Sequence, residues 1–554
     1  MPSWTPLLPS DRLPPGTARA VRAGPLHVAL FRTTEGTLLA LDNRCPHEGY
    51  PLVQGTLKGC VVTCSWHNYK FDGRTGACLI GDEDAVTFPV REVEGSIEVD
   101  LTPPPVDFAR RMESLAAGLS ARDTGRISRD VVRLLADGAT ASQVAAFGVA
   151  WDARYGEYGP SHGLPVLADI LRWTDASAGL DAALPLAQAL DVSAESNLRR
   201  PPRDRGAPLP AGPDAAAELR AAVEAEDVAR AEGLVRGMIA AGADIETLEE
   251  AFYPLVADHF LDFGHPLIYL VKLGGLARRV PLDLDAVFGA LAAGITTGTR
   301  EDLLPAWAGF RKRWAEVDVG ALEARPRSGT LPRDALVALD PPAALAAVVE
   351  SDAPVDQILD ALVHAAAVRL GRFDVSIDSR VGVQDDWLDI THRFTVANAV
   401  RHAVTRWRSP ERWRLIAMAA HFVARARPYD GAPAEGFGGV ADPVRLREAI
   451  VRRVSPEAVG HAQALLDAGR AAELAAVMDA LCLADTAVRG IVVAHLIKTW
   501  AAAWEEYQGT GDATPVLATV RFFASPVVER RYTRRVAEAV RLVTEGRPPT
   551  RIVD

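Results

Sequence analysis

The chain has 554 residues, of which 49% are hydrophobic and 24% charged, and its formal net charge is −12. This length predicts two or more domains, because a single hydrophobic core rarely grows beyond about 300 residues. The acidic balance argues against a nucleic-acid or polybasic membrane surface, which needs concentrated positive charge, and it favours small molecules or proteins as partners.

Targeting and membrane signals are the next feature to consider. The opening segment MPSWTPLLPSDRLPPG lacks the basic and apolar regions of a signal peptide. The longest strongly apolar stretch, residues 490–504, contains His495 and Lys498 and is shorter than the roughly 20 residues that cross a bilayer. We therefore expect a cytoplasmic protein that does not span a membrane. In that reducing compartment, clustered cysteines bind metal more often than they form disulfides.

The chain changes its hydrophobic pattern near residue 104. Residues 18–101 form short apolar segments separated by Gly-containing turns, which predicts small antiparallel sheets. The run Pro103-Pro104-Pro105 ends this pattern, and Ala, Leu, Val and Arg then recur at helical spacing. The predicted fold is a small all-β domain, residues 1–104, followed by a large all-α domain, residues 105–554.

Two short boxes in the β domain combine cysteine with histidine: Cys45-Pro46-His47 and Cys64-Ser65-Trp66-His67. Together they supply two thiolates and two imidazoles. A [2Fe–2S] cluster with sulfur ligands on one iron and histidine ligands on the other requires this set, and a zinc site could use the same ligand types.

The flanking sequences RCPHEGYPLVQG and CSWHNYKFDGRTG resemble the two cluster-binding loops of Rieske domains, and the likeness covers about residues 3–102. The resemblance implies that Cys45 and Cys64 bind one iron of a [2Fe–2S] cluster and that His47 and His67 bind the other. The outward-facing imidazoles would then be the port through which electrons leave.

Departures from high-potential Rieske domains indicate a low potential. Tyr50 and Trp66 stand where such members carry a disulfide, and Tyr69 and Phe71 replace the serine and tyrosine that donate hydrogen bonds to sulfur. Fewer donors stabilise the reduced cluster less, which predicts a low potential, towards the ~−150 mV end of the Rieske range. Asn68 stands where glycine is usual. Two further cysteines do not match ligand positions and are expected to be buried in the core: Cys60 and Cys78.

The helical domain lacks the Asp-x-x-His-x-x-x-x-His stretch of the usual Rieske oxygenase iron site. His162 and His265 instead precede apolar helices that begin near Gly or Pro, so each imidazole is expected at a buried helix N-terminus. Asp262 and Asp389 stand three residues before His265 and His392, where a carboxylate could fix the tautomer of a metal-binding imidazole. The alternative is that each histidine is a core residue bonded to a neighbouring acid.

One apolar helix, residues 487–507, carries His495 and Lys498 on the same face. A buried ammonium group costs several kcal/mol unless it is paired, so the amine should lose its proton or find a partner. A neutral amine can react with carbon dioxide to form a carbamate, which is a carboxylate able to bind metal. The alternative is that Lys498 pairs with a buried acid or extends to the surface.

The segments around these residues resemble the questin-oxidase-like family, helical oxygenases of aromatic polyketides, over roughly residues 128–545. The resemblance implies one mononuclear iron with a lysine-derived carboxylate among its ligands, and the predicted ligands are His162, His265, His392, His495 and Lys498. His259 is a reserve ligand, and Asp262 and Asp389 are predicted to support the imidazoles. Six aromatic residues near these ligands could line the substrate cavity, and core packing explains them equally well: Trp151, Tyr155, Tyr158, Phe263, Tyr269 and Trp500.

The predicted function is a non-haem iron oxygenase in which the [2Fe–2S] cluster passes electrons to the mononuclear iron, which activates O₂. The reaction would be hydroxylation, Baeyer–Villiger insertion or ring cleavage of an aromatic or polyketide-like small molecule. The chain contains no Gly-x-Gly-x-x-Gly unit in a strand–turn–helix context, so electrons should come from a separate reductase or ferredoxin. Homo-oligomerisation stays open. The competing functions are a Rieske ferredoxin with a helical docking or oligomerisation module, and a helical metal-dependent hydrolase.

Overall fold

The computed structural model describes residues 4–102, 107–174, 179–260, 262–298, 300–431, 438–484, 487, 489–525 and 531–552. The chain divides into two compact units, Met1–Ser114 and Leu115–Asp554. The described strands of the first unit and the described helices of the second confirm the predicted fold class, a small β domain followed by a large all-α domain. The domain boundary predicted after residue 104 lies outside the described residues.

The first unit consists of three antiparallel sheets, with strand orders β1-β10-β9, β2-β3-β4 and β5-β6-β7-β8. The described strands are β1 (Trp4–Pro9), β2 (Thr17–Ala23), β3 (Leu26–Arg32), β4 (Leu38–Asp42), β5 (Thr56–Lys58), β6 (Val61–Thr63), β7 (Lys70–Asp72), β8 (Cys78–Ile80), β9 (Val90–Val93) and β10 (Ser96–Asp100). Strands β2 and β3 form a hairpin in which Ala23 pairs with Leu26, and Gly24 between them has φ +60°. That left-handed conformation suits a residue without Cβ, so the two-residue turn sets the register of the hairpin.

The two predicted cysteine ligands belong to the hydrophobic core of this unit. Cys45 and Cys64 are buried among apolar side chains that include Phe31, Val62 and Phe71. This packing fixes the base of each cysteine loop to the sheets, because close-packed interiors leave little room for movement.

The other two cysteines of the first unit are less buried than expected. Cys60 and Cys78 pack against the edge of the same core but are only half-buried. The prediction that they are buried core residues is therefore wrong: both contact the core, but both remain partly exposed to solvent. Cys60 lies in the turn between β5 and β6, and Cys78 begins the outermost strand of its sheet, so solvent reaches both.

Apart from isolated bridges, the regular secondary structure described in the second unit is helical, and α1 begins in the first unit. The described helices are α1 (Phe108–Ala121), α2 (Thr124–Ala136), α3 (Ala141–Tyr155), α4 (Gly163–Thr174), α5 (Ala183–Ser196), α6 (Ala215–Glu224), α7 (Val228–Ala240), α8 (Ile245–Asp258), α9 (His265–Ala277), α10 (Leu284–Thr297), α11 (Ala308–Trp314), α12 (Val319–Ala324), α13 (Pro341–Glu350), α14 (Val355–Arg372), α15 (Trp387–Arg406), α16 (Arg412–Arg425), α17 (Pro443–Val451), α18 (Ser455–Asp467), α19 (Ala471–Cys482), α20 (Gly490–Thr510), α21 (Thr514–Phe523) and α22 (Arg531–Glu545). Within the described ranges, we find no helix with both the length and the apolar character needed to cross a membrane.

Four of these helices pack in a closed ring, in the order α4, α9, α15, α20 and back to α4. Each has its predicted metal-binding histidine at or near its N-terminus. Helices α15 and α20 are buried over most of their surfaces, which agrees with their lack of a polar face. The ring therefore brings residues that are far apart in sequence to one end of one bundle.

A second layer of charged residues lies further along the same four helices. Lys272 Nζ donates to Asp169 Oδ1 at 2.5 Å, and His402 Nε2 lies 2.8 Å from Glu505 Oε1. Asp169 and Lys272 each follow the histidine of their helix by seven residues, which is two turns or about 10 Å. Because neighbouring helices meet at both layers, the paired helices run in the same direction.

Lys272 should contribute strongly to stability, because it is the cation next to the buried Asp169 carboxylate. Burial opposes the charge on Lys272, but Asp169 and Glu505 outweigh it and raise the pKa of the ammonium group. Replacing Lys272 by Met leaves the carboxylate without its counter-charge, so we expect the free energy of unfolding to fall by about 3–5 kcal/mol. Urea denaturation followed by far-UV circular dichroism measures this loss.

The control is Lys312→Met, which removes an exposed lysine. The double variant Asp169→Asn with Lys272→Met should regain most of the lost stability, because no buried charge is then left unpaired. Equal unfolding midpoints for Lys272→Met and Lys312→Met would contradict the assigned role.

Candidate metal centres

The two cysteine loops of the β unit have the same backbone geometry. The amide of Cys45 donates to the carbonyl of Tyr50 at 2.9 Å, and the amide of Cys64 donates to that of Tyr69 at 2.8 Å. Gly49 in the first loop has φ +75°, and Asn68 in the corresponding position of the second has φ +61°. Asn68 therefore adopts the left-handed conformation for which glycine is usual, and asparagine tolerates this conformation better than most residues.

The donor atoms of the loops are arranged as a mixed sulfur and nitrogen site. Cys45 and Cys64 are buried, and burial, together with the neighbouring Cys64 thiol, raises the pKa of the free Cys45 thiol to about 11. His47 Nδ1 lies 3.1 Å from His67 Nδ1 at the outer end of the loops, where His67 is exposed. Two thiols inside and two imidazoles outside fit the ligand set of a [2Fe–2S] cluster with two histidines on one iron.

Aromatic side chains lie where the disulfide of high-potential Rieske domains would be. The ring of Tyr50 contacts that of Trp66, with centroids 4.9 Å apart, and all five cysteines are free thiols. Because one ring belongs to each loop, their contact connects the loops without a covalent bond.

The helical unit brings four of its predicted ligands together. His162 lies directly before α4, His265 is the first residue of α9, and His392 and His495 lie in the second turns of α15 and α20. His265 Nε2 is 3.2 Å from His162 Nε2, and His495 Nε2 is 3.1 Å from His392 Nε2. Ring nitrogens of His162, His265 and His392 all lie within 4.8 Å of one another, a spacing that can hold a metal ion.

The tautomers of two of these histidines follow from their backbone contacts. His392 Nδ1 is 2.6 Å from the carbonyl oxygen of Leu388, and His495 Nδ1 is 2.7 Å from that of Ile491. Since a carbonyl can only accept, each Nδ1 must carry the proton. In the neutral rings, the two Nε2 atoms then face each other with lone pairs at 3.1 Å, and the lone pairs repel. A cation bound by both nitrogens removes this repulsion.

Burial and charge keep the imidazoles neutral. Burial lowers the pKa values of His162, His392 and His495 well below the ordinary value, and the nearby Lys498 charge lowers them further. Lys498 is 2% exposed and lies one turn after His495 on α20. Neutral imidazole is the form that binds metal, so the predicted ligands fit a divalent cation of the first transition series.

The supporting roles predicted for two aspartates are not those in the structure. Asp389 accepts from the backbone amide of Asp386 at the start of α15 and pairs with Arg551, while the Leu388 carbonyl orients His392. The prediction that Asp389 fixes the His392 tautomer is therefore wrong, because His392 Nδ1 bonds the i−4 carbonyl while the Asp389 carboxylate is engaged at the helix start and by Arg551. The side chain of Asp262 lies outside the described residues.

The reserve ligand His259 lies apart from the four converging histidines. Its Nε2 is 3.0 Å from Glu224 Oε1, in a group of charged residues that also includes Arg300. His259 follows the last residue of α8, whereas His265 begins α9, so the intervening turn directs the two imidazoles to different places. The structure therefore does not support His259 as a substitute ligand.

Phe263 is a strained residue that touches the histidine group. It has φ +60°, which is uncommon for an aromatic residue, and its ring stacks on His392 with centroids 5.4 Å apart and an angle of 19°. The guanidinium of Arg551 lies 4.8 Å above the same ring. Sequence reasoning missed Arg551, which gave no motif signal at the end of the chain.

The His162 loop is held by a buried carboxylate that sequence reasoning also missed. Asp152 on α3 accepts hydrogen bonds from the amide and hydroxyl of Ser161 and, at 2.8 Å, from Asn197 Nδ2. Burial raises the pKa of Asp152 to about 6. Because Ser161 precedes His162, this network positions the first imidazole of the group.

A cavity of about 250 Å³ reaches two of the histidines, His162 and His265. Tyr158 and Tyr269 line it as predicted, together with apolar residues such as Leu291 and polar residues such as Asn197. The four other aromatic residues predicted to line it have different contacts: Trp151 and Tyr155 stack on each other, Phe263 stacks on His392, and Trp500 donates to Asp479. The cavity is consequently less aromatic than expected.

Comparison with known proteins identifies the first unit. Residues 3–88 match the family model of the Rieske [2Fe–2S] domain. The chain is 40% identical over 75 residues to a 4beta-methylsterol monooxygenase of Methylococcus capsulatus, covering 14% of this chain and 20% of that protein. The oxidoreductase NdmD of Pseudomonas putida is 31% identical over 112 residues, 18% of this chain and 19% of that protein. The cholesterol 7-desaturase nvd of Hemicentrotus pulcherrimus is 34% identical over 77 residues, which cover 14% of this chain and 16% of that protein.

These matches show that the N-terminal part of the chain is a Rieske [2Fe–2S] domain and that its relatives include oxygenases and a desaturase. The chain spans about a fifth of the length of these curated relatives. The family match ends at residue 88, before the first described helix begins at Phe108. The chemistry of the helical unit therefore has to be inferred from its own residues.

The raised pKa of Asp152 predicts a specific pH dependence of stability. A carboxyl group whose folded pKa is about 6, against an ordinary 3.8, stabilises the fold below pH ~4, and this contribution is lost as the pH rises through 6. The shift of about two units corresponds to roughly 3 kcal/mol. Asp152→Asn should lack this dependence, so the stability difference between wild type and variant should change by about that amount from pH 4 to pH 7.

Denaturant unfolding at the two pH values gives this difference. Asp214→Asn, which replaces an exposed aspartate without a side-chain capping bond, serves as the control and should follow the wild type. An Asp152→Asn profile parallel to that of the wild type would be inconsistent with a raised pKa.

Proposed function

We propose that the chain is an oxygenase in which the Rieske cluster passes electrons to a mononuclear iron in the helical unit. The observation that carries this proposal is the convergence of four imidazole Nε2 atoms, from His162, His265, His392 and His495, in a chain that also contains a Rieske domain. The proposed ligands of the mononuclear iron are these four histidines and Lys498. The proposed ligands of the cluster are Cys45, His47, Cys64 and His67.

Iron at the helical site would supply the activation of O₂, which the protein alone cannot perform. Insertion of one oxygen atom into a substrate consumes O₂, two electrons and two protons and releases one water. The chain's own part is to hold neutral imidazoles in one place, to bury three of them, and to leave His162 and His265 beside the cavity where a substrate can lie.

Lys498 is proposed as a ligand after carboxylation of its amine by carbon dioxide. Its burial supports this role, because a buried ammonium group has lost its hydration and a carbamate bound to a cation avoids that desolvation cost. Lys498 also lies one turn after His495 on α20, and its charge lowers the pKa values of His162, His392 and His495, which supports a position near these imidazoles. The carbamate would add one negative charge to a set of neutral imidazoles, which favours a divalent or trivalent cation.

The proposed substrate is a small aromatic or polyketide-like molecule. A cavity of about 250 Å³, lined by two tyrosine rings and by apolar as well as polar side chains, supports a compact substrate of this kind. Hydroxylation, Baeyer–Villiger insertion and ring cleavage are all compatible with this cavity.

The proposed electron donor is a separate reductase or ferredoxin. The exposed imidazole of His67 supports such an exchange, because a ligand at the protein surface brings the cluster within reach of a partner. The competing proposals are an electron-transfer protein whose helical unit binds no metal and a hydrolase that uses zinc, since imidazole ligands suit zinc as well.

Metal content separates these functions. We expect about three irons and two acid-labile sulfides per chain in the purified protein, two of the irons belonging to the cluster. His392→Ala and Lys498→Ala should each lose about one iron and keep the visible spectrum of the cluster. The control is His402→Gln, which changes another histidine of α15 whose partner is Glu505 and should keep all three irons.

Two irons in the wild type would reject the oxygenase and favour the electron-transfer protein. Zinc in the helical unit would favour the hydrolase. If His392→Ala loses one iron per chain while Lys498→Ala retains all three, the histidine ligands are supported and Lys498 is rejected as a ligand.

A further inference from the structure

The ring of Tyr69 lies flat against a proposed cluster ligand of the other loop. Its centroid is 4.7 Å from that of His47, and the two ring planes differ by 17°. The carbonyl of Tyr69 meanwhile accepts from the amide of Cys64, so the residue belongs to the second loop by its backbone and contacts the first by its side chain.

Gly81 lies against the Tyr69 ring. A Cβ at Gly81 would lie 2.6 Å from Tyr69 Cδ2, closer than non-bonded carbon atoms approach. Gly81 has φ +124°, and it directly follows strand β8. The tyrosine ring therefore contacts both a glycine backbone and the His47 imidazole, and only glycine at position 81 leaves room for the ring where it lies.

Tyr50 occupies the corresponding position of the first loop but contacts no proposed ligand ring in the same manner. Its carbonyl accepts from Cys45, as that of Tyr69 accepts from Cys64, yet its ring packs against Trp66. The chain thus contains two tyrosines in equivalent backbone positions, of which one stacks on a ligand. This pair provides a matched comparison.

The stack also coincides with a difference in exposure between the two imidazoles. His47 is half-buried, whereas His67 is exposed. Covering one face of a ligand keeps water from the cluster, and both solvent exposure and the fixed orientation of ligands influence the potential of an iron–sulfur cluster.

We propose that Tyr69 is a positioning residue of the cluster: in contact with Gly81, its ring fixes the plane of the His47 imidazole, shields that ligand from water and thereby lowers the reduction potential. Two ferric ions, two sulfides and two thiolates sum to zero charge, so reduction gives a net charge of −1. Water stabilises the charged state more than the neutral one, and so removal of the ring raises the potential. The inference concerns the Rieske domain alone and stands independently of the helical iron site.

The test uses the full chain purified with its cluster. Redox titration gives the midpoint potential, and electron paramagnetic resonance of the dithionite-reduced protein gives the g-values, which respond to ligand geometry. Tyr69→Ala should raise the midpoint and change the g-values, and Tyr69→Phe, which keeps the ring, should retain the wild-type values. Gly81→Ala should shift both quantities in the direction of Tyr69→Ala, and Tyr50→Ala should shift them less.

Several results would overturn the proposal. The first is a fully loaded Tyr69→Ala protein with wild-type midpoint and g-values. The second is a shift in Tyr69→Phe as large as that in Tyr69→Ala, because the hydroxyl rather than the stack would then be responsible. The third is an equal shift in Tyr50→Ala, which would indicate general loosening of the loops.

If Tyr69→Ala loses the cluster, Tyr69→Thr replaces it, because threonine keeps a branched side chain in the loop but is too short to cover the His47 ring. A raised midpoint in the threonine variant supports the proposal, and a wild-type midpoint in it refutes the proposal. If Gly81→Ala fails to fold, the threonine variant decides in the same way.

Discussion

Three pairs of imidazole nitrogens face one another at about 3 Å, and the rest of the structure has to hold them there. The contact occurs between His47 and His67 at 3.1 Å, between His392 and His495 at 3.1 Å, and between His162 and His265 at 3.2 Å. For His392 and His495, backbone carbonyls take the Nδ1 protons, so the facing atoms carry lone pairs. Two lone pairs at this distance repel, and the arrangement becomes favourable when a cation lies between them.

The fold holds these nitrogens in place by different means in the two units. In the β unit, buried cysteines attach each loop to the core, and a left-handed residue, Gly49 or Asn68, closes it. In the helical unit, each imidazole lies at or near the N-terminus of a helix, and the four helices pack in a ring. The charged layer two turns away, with Lys272 and Asp169, fixes the relative position of α4 and α9, because a buried pair tolerates little displacement.

The parts of the site that sequence could predict were those encoded locally. The Cys45 and Cys64 boxes lie within 23 residues, so spacing and residue type indicate a metal site, and the flanking sequences, which resemble Rieske loops, favour a cluster over zinc. His162 and His495 are separated by more than 330 residues, and their convergence followed only from resemblance to a family. Nothing in either segment specifies that α4 and α20 are neighbours, because that contact depends on the packing of the whole bundle.

The errors have equally physical causes. Asp389 stands three residues before His392, but the carboxylate is engaged at the start of its own helix and by Arg551, a residue more than 160 positions away. Asp152 gave no signal because its partners, Ser161 and Asn197, are brought to it by tertiary packing. Trp500 lies two residues from Lys498, yet helical periodicity directs it to Asp479 and away from the lysine. Sequence proximity to a ligand was therefore a poor guide to cavity lining.

The central claim, that the helical unit holds a mononuclear iron in a chain that also carries a Rieske cluster, is tested most directly by Mössbauer spectroscopy of the full chain loaded with ⁵⁷Fe. The account predicts two coupled cluster irons and one further high-spin iron in a 2:1 ratio of absorption areas. A spectrum that contains the cluster irons alone, in a protein with intact helical structure, would contradict it.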